Sequence, residues 1–389
     1  MKVLFILASS PQTFISGSTQ SLLNLISSVD GDFFLVSPIN HELLNKELKS
    51  LKIKHETIPY RMFTYPRFGS LKDLCLYIPR WMKICYTSIR SYIEISKLVK
   101  EFSPDIIHTN TSTVPYGYWV AKRYHIPHIW HIREYMEKDY NLHPIPSRSY
   151  HNKRLNSSFS ISITKGIADY ICAGKNNRVI YNGICDSCSL TFIEEKEKYF
   201  LYVGLLDNAK GLDMVMDAYM AYYKSSDLCS PYKLLLVGEG NLRQSIENRI
   251  QIEGVEDFVK LLGGLPSEKV RQLMEKATAL IMASRAEAFG RVTAEAMFAG
   301  CLVIGRDTAG TKEQLDNGLT QIGREIGLRF SNVHELSQHM FDITYKGIET
   351  YFPMIMDSQK VVRHLYTTES YAKGVKNFYK QIINNKGTK

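Results

Sequence analysis

A chain of 389 residues with 44% hydrophobic and 22% charged side chains has the length of two domains and the composition of a globular protein, which excludes a disordered or fibrous chain. Seven cysteines, an odd number, with no export signal fit a reducing, cytoplasmic setting, and no apolar run approaches the roughly 18 residues that cross a bilayer. The formal charge of +9 is uneven: residues 51–100 hold ten Lys/Arg against Glu56, Asp73 and Glu94, a local +7.

The chain opens with Val3–Ala8, an apolar run too short for a signal peptide and followed by turn formers, so it predicts a buried strand. A helical pattern from Gln20 to Ile26 and a strand at Phe33–Val36 complete a βαβ start. The loop between contains Ser16-Gly17-Ser18 and no G-x-G-x-x-G, which gives dinucleotide binding no support. Residues 59–92 alternate aromatic, basic and aliphatic side chains, among them Tyr60, Arg61, Arg67, Phe68, Leu74, Ile78, Arg80, Trp81 and Lys83. This fits amphipathic helices packed on the sheet with basic edges in solvent. It also fits a peripheral contact with an anionic inner membrane surface or a lipid pyrophosphate in it. Nucleic acid is not an expected partner, because no RNA- or DNA-binding signature is present.

A strand is predicted at Pro104–Asn110, a helix at Tyr116–Tyr124, and the next strand with its exit at Pro127–Glu134. Residues just past a strand's C-terminal end face the ligand crevice of an open α/β sheet, which marks His131 and Arg133. Ser160–Thr164 and Arg178–Tyr181 read as the last strands of the first domain, and Cys185–Lys198, polar and acidic, reads as a linker. Cys185 and Cys188 have metal-pair spacing, but no second pair accompanies them and no metal site is expected.

The second domain begins at Tyr199–Val203, a strand that ends in Gly204 and leads to Lys210-Gly211 before a helix. Such a loop offers a cation and close backbone approach to a phosphate. Strands follow at Lys233–Val237 and Val259–Leu262, the latter leading into Gly263-Gly264-Leu265. Then comes Ala279–Ala283, a short buried strand, a loop through Glu287, Phe289, Gly290 and Arg291, a helix over Val292–Ala299 with Glu295 about one turn in, and a strand from Leu302. The turn into that helix presents backbone N–H groups and the positive end of the helix dipole to an anion. Carboxylates repel phosphate, so Glu287 and Glu295 on either side suit hydroxyls flanking it. A nucleoside diphosphate sugar has that layout.

The string Glu287-Ala-Phe-Gly-Arg-Val-Thr-Ala-Glu295-Ala-Met, with Gly300 and Val303-Ile304 beyond, resembles retaining glycosyltransferases of family 4, also called group 1. Ile106-Ile-His-Thr-Asn110 and Trp130-His-Ile-Arg-Glu-Tyr135 resemble the same family in a branch common among bacterial surface-polysaccharide enzymes. The resemblance runs from residue 1 to about residue 330.

It implies a GT-B fold: two doubly wound Rossmann-like domains facing a cleft, an acceptor domain over 1–185, a linker over 186–198, a donor domain over 199–366, and a final helix within 367–389 returning to the first domain. The implied reaction moves a hexose or hexose derivative from a nucleotide diphosphate to a saccharide or lipid-linked saccharide, with retention and without a metal or other cofactor. By resemblance His131, Glu287 and Lys210 are catalytic. Gly17, Gly263, Gly264, Leu265, Phe289, Gly290, Arg291, Val292 and Glu295 bind the donor, and Arg133 and Glu134 shape the acceptor side. Where the family has arginine after the first glycine of the Lys210 loop, this chain has Leu205. That departure keeps a non-catalytic nucleotide-sugar-binding protein as an alternative, beside an epimerase of the same architecture.

Overall fold

Val3, Leu4, Phe5 and Ile6 are wholly buried, and the strand they form is an interior strand of a seven-stranded sheet. In a strand successive side chains point to opposite faces: Val3 and Phe5 pack with Leu22, Leu25 and Ile26 on one side, Leu4 and Ile6 with Val99, Tyr116 and Val120 on the other. A strand covered on both faces has no polar alternation, which is why it reads as one apolar run. Each large apolar side chain so buried contributes roughly 1.5–3 kcal/mol.

The computed structural model describes residues 1–8, 15–66, 70–225 and 231–386. Residues 9–14 of the first loop, Arg67 and Phe68 of the basic stretch, and the side chain of Leu74 lie outside that set. The chain divides into two units, Met1–Gly183 with Thr368–Lys389, and Ile184–Thr367.

The strands of the first unit are β1 (Lys2–Ile6), β2 (Asp32–Ser37), β3 (Lys54–Thr57), β4 (Thr64–Pro66), β5 (Ile106–Thr109), β6 (His128–Ile132), β7 (Leu142–Pro144), β8 (Phe159–Ser162) and β9 (Asn177–Val179). Seven of them form a sheet in the order β3-β2-β1-β5-β6-β8-β9, every pairing parallel, while β4 and β7 pair antiparallel apart from it. The strand order reverses between β1 and β5. At such a switch point the connecting loops diverge and leave a crevice at the C-terminal ends of the strands.

The second unit repeats the plan with β10 (Glu197–Val203), β11 (Lys233–Val237), β12 (Val259–Gly263), β13 (Ala277–Met282), β14 (Leu302–Arg306) and β15 (Leu328–Phe330). They form one parallel sheet in the order β12-β11-β10-β13-β14-β15. Its switch point lies between β10 and β13. The helix after β13 runs Arg291–Phe298, one residue earlier than the sequence pattern starts it.

Two segments differ from their sequence reading. Residues 186–198 are not a free linker but part of the second unit: the Lys196 ammonium donates to the carbonyls of Glu275 (2.6 Å) and Gly300 (2.7 Å), and Thr191 N–H donates to Phe298 O (3.1 Å). Phe192 also packs its ring edge-on against Phe352 (5.2 Å) at the border of the core, but a single apolar anchor among hydrogen bonds to backbone carbonyls leaves no hydrophobic pattern to read. The basic stretch is mostly one helix, Leu71–Phe102, which runs through Pro79. Its later turns bury Ile84, Ile95, Leu98 and Val99.

The last helix, Thr368–Lys386, buries Tyr371, Val375, Phe378, Tyr379 and Ile382 in the same cluster as Val3 and Phe5. Its apolar stripe covers one face of the first sheet. Gly183 lies against Thr368, where an added Cβ would stand 2.8 Å from the Thr368 Cα. In the second unit Ile184 N–H donates to Tyr366 O (2.8 Å). The outgoing and returning chains therefore run side by side.

Candidate functional site

The loops that leave β10 and β13 meet at the switch point of the second unit. Lys210 comes from the first loop and Glu287 from the second, and their ammonium and carboxylate pair at 2.5 Å. Side chains 77 positions apart are brought together by strand order. The Ser284 hydroxyl donates to the same carboxylate oxygen (3.3 Å), Lys210 N–H donates to the Asp207 carboxylate (2.8 Å), and Arg285 N–H joins the loops by donating to Ala209 O (2.9 Å). The Arg285 guanidinium is held by Asp213 (2.6 Å).

Gly211 makes this approach possible. It has φ +71°, and a Cβ there would sit 2.1 Å from the Ala283 carbonyl oxygen. Gly211→Ala is expected to cost about 3 kcal/mol in the second unit, from left-handed strain plus displacement of the β13 loop. Urea unfolding measures it; an unchanged midpoint would refute the tight apposition.

Gly290, at φ +84°, caps the helix Arg291–Phe298 without a side-chain partner for the cap. The turn is fixed from behind: the Gln314 amide donates to Phe289 O (2.5 Å) and Gly290 O (3.0 Å), and the Phe289 ring is buried against Tyr366. Around the place where a Cβ on Gly290 would stand lie the hydroxyls of Thr293 and Thr311, at 3.3 and 3.5 Å. Both are buried, and neither hydroxyl has a hydrogen-bond partner counted against its burial among the described residues. Buried polar atoms without partners are costly, and here they collect at the turn that the sequence marks for an anion. Val292 follows in the first helical turn, partly buried, and one turn on the Glu295 carboxylate takes Arg291 at 3.3 Å.

Gly263, Gly264 and Leu265 stand at the end of β12, where Gly263 O accepts from Gly238 N–H (2.9 Å) of the loop after β11. They are on the same C-terminal edge of the sheet as Lys210, but no contact joins them to the Lys210–Glu287 pair among the described residues. Leu205 is 58% exposed, a bare aliphatic side chain in the Lys210 loop.

In the first unit, the sequence-marked His131, Arg133 and Glu134 are buried at and beyond the end of β6. The Arg133 guanidinium donates to Asn110 (2.8 Å), Asn182 (2.6 Å), the Tyr371 hydroxyl (3.0 Å) and His131 Nδ1 (3.3 Å). Glu134 accepts from Ser112 N–H (2.7 Å), the Ser112 hydroxyl (2.7 Å) and the Thr111 hydroxyl (2.9 Å). Both charged groups are thus spent on positioning loops of their own unit. Asn110 also donates to Ser18 O (3.2 Å), which ties the helix that begins at Gly17 to the end of β5.

His131 Nδ1 faces His108 Nε2 at 3.1 Å, and His108 Nδ1 faces the Tyr379 hydroxyl at 2.6 Å. Burial, then the nearby Arg133 charge, holds both imidazoles well below the usual histidine pKa, so both are neutral. A neutral imidazole has one donor and one acceptor. Arg133 can only donate, so His131 Nδ1 accepts and the proton sits on Nε2. His108 must then donate from Nε2 and accept at Nδ1 from Tyr379, whose phenol burial keeps protonated. The network leaves His131 Nε2–H buried and without a partner among the described residues.

Sequence reading missed His108, Asn182, Tyr371, Tyr379 and Ser284. A polar signal existed for His108, an imidazole inside the apolar strand Ile106–Thr109. Tyr371 and Tyr379 read only as members of an apolar stripe. Among the described residues no group of three His, Cys, Asp or Glu side chains is gathered to hold a metal. Asp30 and Asp32, an Asp-x-Asp pair, stand where β2 begins, at the other end of the sheet from the crevice.

Residues 62–187 match the model of Glycosyltransferase Family 4 and residues 191–325 that of Glycosyl transferases group 1. Two uncharacterized glycosyltransferases of Methanocaldococcus jannaschii are 26 and 27% identical over 58 and 39% of this chain, and the chain spans only 60 and 43% of their lengths. An uncharacterized 42.6 kDa protein in the cps region of Klebsiella pneumoniae is 25% identical over 75% of this chain and 77% of its own. Among solved structures, HepE of Anabaena in complex with UDP superposes with a TM-score of 0.76 at 16% identity, covering 98% of this chain and all of that one. The fold is therefore GT-B, as the sequence implies, and each half of the chain carries glycosyltransferase-family sequence.

Proposed function

We propose that this chain is a glycosyltransferase that moves a hexose or hexose derivative from a nucleoside diphosphate to a hydroxyl of a saccharide or lipid-linked saccharide, with retention at the anomeric carbon. The observation that carries this reading is the meeting of Lys210, Glu287 and the Gly290 turn at the switch point of the second unit. HepE, which shares the fold, is described with UDP and with UDP-glucose, and the Klebsiella relative lies in a cps region; both favour a nucleotide-sugar donor and a polysaccharide setting.

In the proposed reaction the bond from the anomeric carbon to the diphosphate oxygen breaks, with its electron pair leaving on the diphosphate. The acceptor oxygen forms the new bond and passes its proton to the departing diphosphate oxygen. Lys210 and the Gly290 turn meet the negative charge as it develops, preorganised by the loop contacts around them. Glu287 and Glu295 accept from hydroxyls of the sugar and the ribose, and His131 donates through Nε2–H to the sugar. The scheme calls on no metal ion.

A second reading, a nucleotide-sugar binder without turnover, is favoured by Leu205, whose exposed side chain supplies no charge to the loop. The test is incubation of the purified protein, with metal chelated, against UDP- and GDP-sugars, following both binding and release of nucleotide. Metal-independent binding with turnover is expected. Binding that never leads to turnover with any saccharide acceptor would favour the second reading, and no binding to any donor would overturn both.

A further inference from the structure

The helix Leu71–Phe102 carries an apolar face that nothing covers among the described residues. At 100° per residue, positions 71, 75, 78, 82, 86, 89 and 93 fall within an arc of about 80°. They are Leu71, Cys75, Ile78, Met82, Tyr86, Ile89 and Ile93, and the six large side chains among them are between 49 and 83% exposed. The stripe is about 33 Å long. The helix is anchored to the rest of the first unit along a different face: the Ser88 hydroxyl meets Tyr116 at 3.1 Å and Ser91 bonds Pro59 O at 2.7 Å. Among the described side chains, the first buried one in this helix is Ile84; its opening turns meet β4 through the Tyr77 ring, edge-on to Tyr65 at 5.2 Å, on a side away from the stripe.

Along one edge of the stripe runs a row of cations. Lys72, Lys83 and Arg90 lie within about 20° of one another on the helix, all exposed. Between residues 71 and 94 there are four basic side chains, Arg80 included, against Asp73 and Glu94, a net of +2; Arg90 pairs with Glu94 at 2.9 Å, while no ion pair is formed by Lys72 or Lys83 among the described residues. No helix among the described residues is long and apolar enough to cross a membrane. A long apolar stripe with a cationic edge and aromatic side chains, Trp81 and Tyr86, has the chemistry of a helix lying in a headgroup layer. A second copy of the chain would bring a like-charged surface against it.

We infer that the exposed face of the helix Leu71–Phe102 docks on an anionic lipid bilayer, with Leu71, Ile78, Met82, Tyr86, Ile89 and Ile93 entering the acyl boundary and Lys72, Lys83 and Arg90 meeting the headgroups. This goes beyond the transferase reading and does not depend on it, since vesicle binding needs no sugar substrate.

The test uses the full chain with sedimenting vesicles of phosphatidylcholine alone or with one-third phosphatidylglycerol. Binding to the anionic vesicles is expected to be at least about tenfold stronger, to weaken with salt, and to shift the Trp81 emission to shorter wavelength. Ile78→Glu/Met82→Glu/Ile89→Glu is expected to reduce binding more than about tenfold, with far-UV circular dichroism and melting unchanged because these side chains are exposed. Lys72→Ser/Lys83→Ser/Arg90→Ser is expected to remove the salt-sensitive part, about fivefold for each cation. Failure to bind either vesicle would overturn the inference, as would binding that both variants retain. A dimer in sedimentation velocity that the glutamate variant dissolves, with vesicle binding untouched, would assign the face to a second copy instead.

Discussion

Lys210→Met is expected to lower kcat for sugar transfer by about a hundredfold to a thousandfold, with a smaller change in KM. In the proposed reaction the donor diphosphate already carries charge when it binds, and the Gly290 turn would contribute to holding it. Breaking the glycosidic bond adds charge on the departing oxygen, and an interaction that strengthens at that moment lowers the barrier rather than the binding constant. Lys210 is positioned for this by Glu287 at 2.5 Å and by its N–H bond to Asp207. Because the two side chains touch, Glu287→Gln and the double variant should not be additive with it. Steady-state kinetics on the three variants decide the matter: a kcat that survives Lys210→Met would remove lysine from the leaving-group side.

Stability is expected to fall steeply as pH drops below about 6.5, the ordinary histidine value. His128 and His151 are held down to about 3, by burial first and then by the Arg154 charge; His108 and His131 are held well below their ordinary value by burial and Arg133. The folded state therefore resists protons that the unfolded chain accepts. Above the unfolded pKa all four are neutral in both states, and their contribution is fully present. As pH falls through the window from about 6.5 toward 3, each group costs about 1.4 kcal/mol per pH unit, so His128 and His151 alone remove about 3 kcal/mol per unit. Trp130, buried with the His128 ring 4.7 Å away, is a local reporter. Urea unfolding followed at Trp130 should show midpoints that agree above pH 7 and drop sharply by pH 5. A flat profile across that range would mean that the four imidazoles are reached by water.

The fold was legible because both sheets are buried on two faces, so their strands are uninterrupted apolar runs such as Val3–Ile6 and Ala279–Met282. Each member of the Lys210–Glu287 pair also stood out in the sequence, Lys210 by its glycine-rich loop and Glu287 by its string before Gly290. Their contact was not, since it follows from the reversal of strand order between β10 and β13, which no local pattern encodes. The histidine relay was less visible still. Tyr379 bonds His108 across 271 positions, and in the sequence it is one of several apolar residues on a helical stripe. Residues 186–198 were misleading for a related reason: a segment anchored by Lys196 and Thr191 through backbone carbonyls looks like a linker to any reading based on apolar spacing.

The return of the last helix to the first unit also has a consequence for how the chain is made. On the ribosome, residues 1–183 emerge with Phe5, Leu22 and Leu25 in place but without Tyr371, Val375, Phe378 and Ile382, which complete the same cluster. The 184 residues from Ile184 to Thr367 are synthesised in between, about 10–40 s at typical elongation rates. For that interval one face of the nascent sheet is wet or in the hands of a chaperone, and Arg133 lacks its Tyr371 partner. The first unit is the first to be translated and the last to be finished, so the second unit can fold while the unit bearing His131 is still waiting for its lid of tyrosines.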